Sequence, residues 1–186
     1  MTASSSSLTP RCLSSSPRSL GGESIMDTSE PLRKLLLKAV RDIADYQFGR
    51  DVGEKLFPES CRVQLSKRTG KPRYVYLGGD LLATIRYPDN LLALTLKGAE
   101  RLREVLGEKA GRVIIREEAV EKLRKGMSPA ASDLVFCSDG IRPGDEVVVE
   151  AENGRILAVG RAVVSAQTMR EAGSGVIVKV RKACKT

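Results

Sequence analysis

The chain contains no histidine among its 186 residues. That removes imidazole general bases, Ser-His-Asp and Cys-His nucleophile systems, and every histidine-containing zinc site. Tryptophan is also absent and aromatic residues make up only 4%, which argues against an extended platform for stacking successive bases. The four cysteines, Cys12, Cys61, Cys137 and Cys184, are far apart with no C-x-x-C, so a disulfide framework or zinc ribbon has little support. Small buried or half-buried thiols in a reducing cytoplasm are the plainer reading. No apolar run is long enough to span a bilayer. The glycine segments 107–111 and 173–175 lack the G-x-x-x-x-G-K-[ST] arrangement that cradles a nucleotide. The carboxylates show no recognisable acid–base spacing. No residue is picked out as catalytic, and neither a metal nor a cofactor is expected.

What is present is positive charge. The formal net charge is +8 and the isoelectric point is about 9.5, a balance that favours an anionic partner. A merely basic soluble protein is the competing reading. Residues 29–110 carry 16 Lys/Arg against 11 Asp/Glu, and residues 111–186 carry 13 against 10. Residues 1–28 hold two of each.

Those first 28 residues are Ser-rich and Pro-punctuated and offer nothing to bury, which predicts a disordered tail. The segment has no secretory h-region. Its Ser and Arg content faintly suggests a transit peptide. A dispensable tail, or an upstream extension with Met26 as the start, is the plainer alternative. Asp27-Thr28-Ser29-Glu30-Pro31 then offers helix-capping residues and an early proline. Leu32, Leu35, Leu36, Ala39, Val40 and Ile43 recur at helical spacing and predict the buried face, with Arg33, Lys34, Lys38 and Arg41 opposite. Gly49 is the expected C-cap. Asp45 and Glu54 read as capping or ion-pairing groups before a catalytic pair, and Tyr46, Phe48 and Phe57 as core. Short strands follow around residues 62–66, 74–77, 81–86 and 91–96, with a helix over 97–106 turning Ala99, Leu102, Val105 and Leu106 inward. Between the first two strands, Lys67-Arg68-Thr69-Gly70-Lys71 forms a hairpin tip carrying three cations. Such a tip suits phosphate contact, or a charged edge that resists aggregation. Residues 107–111 read as a linker.

The second half centres on residues 141–166. Val147–Val149 and Ile156–Val164 are two strands joined by Glu152-Asn153-Gly154-Arg155, whose Asn-Gly is a strong hairpin signal. Residues 175–181 close the chain as a further strand.

Residues 112–182 resemble a PUA domain, a small pseudo-barrel RNA-binding module. The resemblance rests on Val113-Ile114-Ile115, Glu117-Glu118-Ala119-Val120, Leu123-Arg124-Lys125-Gly126, Ile141-Arg142-Pro143-Gly144-Asp145, Leu157-Ala158-Val159-Gly160-Arg161-Ala162 and Gly175-Val176-Ile177-Val178-Lys179-Val180, in that order. Ahead of it, Ala44 to Gly49, Gly53 to Pro58, Lys71 to Leu77 and Leu82 to Arg86 resemble the domain that precedes PUA in archaeosine tRNA-guanine transglycosylases. In that family these modules hold tRNA, and chemistry sits in a separate barrel for which this chain has neither the length nor the histidine. The expected fold class is α+β: a tail at 1–28, a small N-terminal α+β unit at 29–110, and a C-terminal PUA β pseudo-barrel at 111–186.

The resemblance implies RNA contact along the helix-to-loop region Arg124, Lys125, Gly126 and Met127. There Gly126 is expected to leave backbone amides accessible beside two cations; a plain helix C-cap is the alternative. Lys179, Arg181, Lys182 and Lys185 follow on the last strand and tail, with Lys179 and Arg181 on one face by period two. Lys67, Arg68 and Lys71 complete the candidates, while Arg161 reads as structural. The expected function is a non-catalytic, cytoplasmic RNA-binding protein. Its ligand would be tRNA, held by the acceptor-stem region in connection with tRNA modification by a separately encoded enzyme. A ribosome-assembly factor binding rRNA through the PUA unit is the alternative. An RNA-processing enzyme and a protein-interaction module are weaker readings. No membrane partner is expected.

Overall fold

The computed structural model of the chain describes residues 29–87 and 89–184. The expectations for the Ser-rich tail, for Met26 and for Lys185 lie outside the described residues.

The first unit begins with α1 (Glu30–Phe48) and α2 (Val52–Leu56). A four-stranded antiparallel sheet follows: β1 (Arg62–Leu65), β2 (Pro72–Leu77), β3 (Asp80–Ile85) and β4 (Leu92–Leu94), adjacent in chain order. Helix α3 (Leu96–Leu106) closes it. The α1 stripe is rotated from the expected one: Leu37, Val40 and Ala44 are buried, whereas Leu32 and Leu35 are exposed. The run Leu35-Leu36-Leu37 carries two overlapping helical stripes, and the one that meets Val52, Leu56, Phe57 and Val75 is packed. Phe57 is fully buried and Phe48 packs at the core edge, but Tyr46 is 83% exposed, against the expectation. Asp45 does act structurally, accepting from the Gly53 amide at 2.6 Å. Its neighbour Arg41 donates to the Phe57 carbonyl at 2.8 Å, and Lys38 pairs with Asp42 at 3.1 Å. These partners give part of the basic face of α1 a local role. Helix α3 lies so close to the sheet that a Cβ on Gly98 would sit 2.1 Å from the Leu82 carbonyl oxygen, so only glycine fits that crossing.

Residues 107–111 are a short 3-10 turn, Gly107–Lys109, and a fully buried Ala110. The second unit then runs β5 (Arg112–Ile115), α4 (Glu117–Arg124), β6 (Leu134–Cys137), β7 (Glu146–Ala151), β8 (Ile156–Ala162), α5 (Ala166–Glu171) and β9 (Val178–Ala183). Its sheet has the order β6-β5-β7-β8-β9, with β5 and β7 parallel and the other pairs antiparallel. The β7–β8 hairpin forms where Asn-Gly placed it. Gly154 alone of the Asn-Gly pair takes positive φ, at 80°, while the Asn153 side chain accepts from the Arg155 amide at 2.9 Å. The turn is therefore a type I form relieved by glycine rather than its mirror image.

Strand β7 is buried along its whole length. Val147, Val149 and Ala151 enter the core of the second unit. On the other face, Val148 packs with Val159 and Ala99 of α3, forming an apolar seam between the two units. Two buried glutamates flank that seam. Glu150 is fully buried, accepts from Arg112 Nε at 3.1 Å and ion-pairs with Arg112 and Arg103. Glu146 accepts from the Leu94 amide of β4 at 2.9 Å and from Arg181, which also donates to the Leu94 carbonyl at 2.9 Å. Buried carboxylates persist only when paired and hydrogen-bonded; here the partners come from both units and fix one against the other.

Candidate nucleic-acid interface

Helix α4 buries Ala119, Val120 and Leu123 and carries Glu117 and Glu118 in its first turn, where they suit the helix dipole. It ends in a Schellman motif. The Gly126 amide donates to the Leu123 carbonyl at 3.0 Å and the Met127 amide to the Lys122 carbonyl at 3.1 Å, with Gly126 at φ 84°. The expectation of accessible amides here is thus corrected: these two donors are satisfied within the helix end. What the motif presents is side chains. Arg124 and Lys125 are exposed, as is Met127 at 50%. Arg124 pairs with Glu121 at 2.7 Å, an exposed i,i+3 contact worth only about 0.3–0.5 kcal/mol, which a phosphate can readily displace.

The following loop is bonded to the last strand. The Ile177 amide donates to the Pro129 carbonyl at 3.0 Å, and the Ala131 amide to the Gly175 carbonyl at 2.8 Å. The Val180 amide donates to Ser128 Oγ at 3.2 Å. Two stretches some fifty residues apart in sequence, the end of α4 and β9, therefore share one corner. Lys125 at the end of α4 and Lys179 and Lys182 on β9 are exposed with no ion-pair partner among the described residues. Arg181 is placed differently. Gly160 and Val159 face Val180 and Lys182 in turn, which leaves Arg181 as the extra residue of a bulge. Its guanidinium is held by Glu146 and the Leu94 carbonyl, rather than standing beside Lys179 as a second open cation.

Asp133 fastens the base of the loop. Its Oδ2 accepts from the Ala130 amide at 3.0 Å and its Oδ1 from Lys122 Nζ at 2.9 Å. Burial pushes the carboxyl up, but the Ala130 amide and the Lys122 ammonium outweigh it and hold its pKa below the ordinary value. A depressed carboxylate stabilises the fold above the unfolded-state value, near pH 4, and the contribution is lost as pH falls through the folded value. Asp133→Asn is accordingly expected to lower stability by about 1–2 kcal/mol at pH 7. The gap from the parent chain should narrow as pH drops below about 4. Urea unfolding at several pH values reads this; a gap constant down to pH 2 would contradict it.

The hairpin tip Lys67, Arg68 and Lys71 is exposed, as expected, and is closed by the Gly70 amide on the Ser66 carbonyl at 2.8 Å. It belongs to the first unit. Arg161 donates to the Gly144 carbonyl at 2.9 Å and lies 3.7 Å from Asp89 of the first unit, both of them contacts within the fold. Cys61 is fully buried; burial pushes its thiol up against the lowering influence of Arg101 and Arg41. Cys137 is buried as well. Among the described residues, no group of three or more His, Cys, Asp or Glu side chains is placed to hold a metal, and no helix is long and apolar enough to cross a membrane.

Comparison with known proteins matches these two units. Residues 38–109 match the family described as the patch-forming domain C2 of tRNA-guanine transglycosylase, and residues 111–183 match the PUA domain. The chain is 40% identical over 146 residues to tRNA-guanine(15) transglycosylase of Methanothermobacter thermautotrophicus, covering 78% of this chain and 22% of that protein. It is 41% identical over 153 residues to the Pyrococcus abyssi enzyme of the same name, covering 82% and 26%. The chain thus spans about a quarter of the length of these relatives. Among solved structures, a hypothetical protein from Pyrococcus horikoshii superposes with a TM-score of 0.66 at 24% identity, over 81% of this chain and 90% of that one. A PUA domain protein from Thermoplasma acidophilum superposes with a TM-score of 0.58 at 17% identity, over 81% and 89%; both likenesses show the fold. An α+β unit of the C2 type joined through a buried seam to a β pseudo-barrel makes this chain a PUA-domain protein corresponding to the C-terminal, C2-plus-PUA part of tRNA-guanine transglycosylases.

Proposed function

We propose that the chain is a non-catalytic RNA-binding protein that holds tRNA by its acceptor-stem region and acts with a separately encoded tRNA-modification enzyme in the cytoplasm. In this reading residues 29–110 support and orient the RNA, and residues 111–186 grip it. The observation that carries it is the corner where the loop after α4 is bonded to β9. It joins the end of α4, which carries Arg124, Lys125 and Met127, to the strand that carries Lys179 and Lys182, on a PUA domain. Phosphate contact by such side chains positions RNA without reading its sequence, and the shape of a folded RNA supplies the selectivity. The Glu146 and Glu150 seam supports this, because it holds the hairpin tip Lys67, Arg68 and Lys71 at a set spacing from the α4 corner. Relatives named for action on tRNA guanine support tRNA over other RNAs. Competition of bulk tRNA against a structured rRNA fragment for the purified chain tests the reading: tRNA is expected to bind preferentially, and preference for the rRNA fragment would overturn it.

A further inference from the structure

The first unit contains a cleft that the α4 corner does not explain. It has a volume of about 290 Å³ and lies between the β1–β2 hairpin and the turn after β3. Arg68, Lys71 and Arg73 of the hairpin line it together with Arg86, Tyr87 and Asn90 of the turn. Tyr87 is 79% exposed. A tyrosine ring left in water forgoes the burial that usually stabilises it, and nothing in the core of this unit requires the ring. Lys71 Nζ stands 5.5 Å from its centroid, within cation–π range, and keeps the ring at the mouth of the cleft. Arg86 is mostly buried. Its Nη2 faces Asp89 at 3.0 Å and its buried Nε has no hydrogen-bond acceptor, so the cations that a ligand can reach are the exposed Arg68, Lys71 and Arg73.

We infer that this cleft receives a single unstacked nucleotide of the bound RNA, its base lying on Tyr87 and its phosphate between Arg68 and Lys71. The inference rests on the RNA-binding reading and adds to it a ligand chemistry for the first unit. One open aromatic face beside several cations is the arrangement that holds an unpaired base: the ring supplies stacking that any base can use, and the cations hold the backbone. A regular duplex has no splayed base to offer, so the cleft discriminates between RNA shapes and not between sequences. Asp89 ties this turn to the second unit through Arg161, whose partner across β8 and β9 is Lys179. The nucleotide in the cleft and the phosphates at the α4 corner would thus be held on one rigid frame.

The test compares the full chain with Tyr87→Ala and Tyr87→Phe, each titrated against bulk tRNA and against a blunt-ended RNA duplex. Tyr87→Ala is expected to weaken tRNA binding about 5- to 100-fold, the range a lost base–aromatic stack spans. It should leave duplex binding unchanged, and Tyr87→Phe should bind tRNA like the parent. Tyr87 is exposed, so folding is undisturbed, and urea unfolding verifies this. Parental tRNA affinity in Tyr87→Ala, or an equal loss on duplex, would overturn the cleft while leaving RNA binding intact. Failure of the parent chain to bind any RNA would overturn both.

Discussion

Glu150→Ala is expected to cost about 3 kcal/mol of folding stability, the low end of what breaking a buried ion pair costs. The carboxylate is fully buried between Arg112 and Arg103. Its removal leaves the Arg112 side chain, only 11% exposed, without a counter-charge. Arg103 is 29% exposed and can turn toward water, which is why the higher end of the range is not reached. Glu150→Gln keeps the volume and removes only the charge, so it should recover part of the loss. Asp42→Ala provides the contrast: its pair with Lys38 is exposed on both sides, and its deletion should move stability by no more than about 0.5 kcal/mol. Because Glu150 joins α3 to the PUA sheet, unfolding in urea followed by several probes should also lose coincidence, with the units melting apart. An equal, small effect of Glu150→Ala and Asp42→Ala would show that the seam does not hold the units together.

The second large effect concerns binding. Reversing both Arg124 and Lys125 to glutamate is expected to weaken tRNA binding on the order of 10- to 100-fold at moderate salt and to lower the salt slope by about two. Both side chains are exposed and neither supports the core, so stability should shift by less than about 0.5 kcal/mol. The loss should be similar on RNAs of different sequence, since phosphate contacts carry no base information. Reversal of Arg11 and Arg18 in the N-terminal segment is the control and should have little effect. Arg181 is unsuitable for this comparison, because its guanidinium closes the seam at Glu146 and Leu94 and its reversal would be read as lost stability. Equal losses from the tail and from the α4 end would remove the site assignment.

Local patterns carried much of the fold. Alternation located the short strands, Asn-Gly located the β7–β8 hairpin, and the spacing of Ala99 and Leu102 located the packed face of α3. Where two patterns overlapped, as along Leu35-Leu36-Leu37, periodicity could not choose between stripes, and the tertiary partner decided. Strand β6 has no alternation to read, its Val135 and Phe136 both being exposed, and the six residues of helix α5 are too few to display a helical period. The parallel pairing of β5 with β7 is a long-range event with no local signature. The same holds for the seam. Glu146 and Glu150 look like solvent-facing charges in a valine strand until α3 and β4 cover that face. At the candidate site, residue types were legible but their partners were not. Lys125, Lys179 and Lys182 remain open, whereas the amides at Gly126 and Met127 are closed by the helix end, and a one-residue bulge turns Arg181 into the seam. Tyr87 was passed over because a lone aromatic beside Arg86 has no pattern; the cleft arises only when the β1–β2 hairpin folds across it.

The most direct test is the affinity of the purified chain for bulk tRNA across a salt series, with an rRNA fragment and a polyuridine strand as competitors. Bulk tRNA is expected to be preferred over both, with affinity falling steeply and linearly on logarithmic axes as rising salt weakens the gain from counterion release. No binding of tRNA even at low salt, or binding indifferent to salt, would contradict it and would make the basic corner a solvated surface.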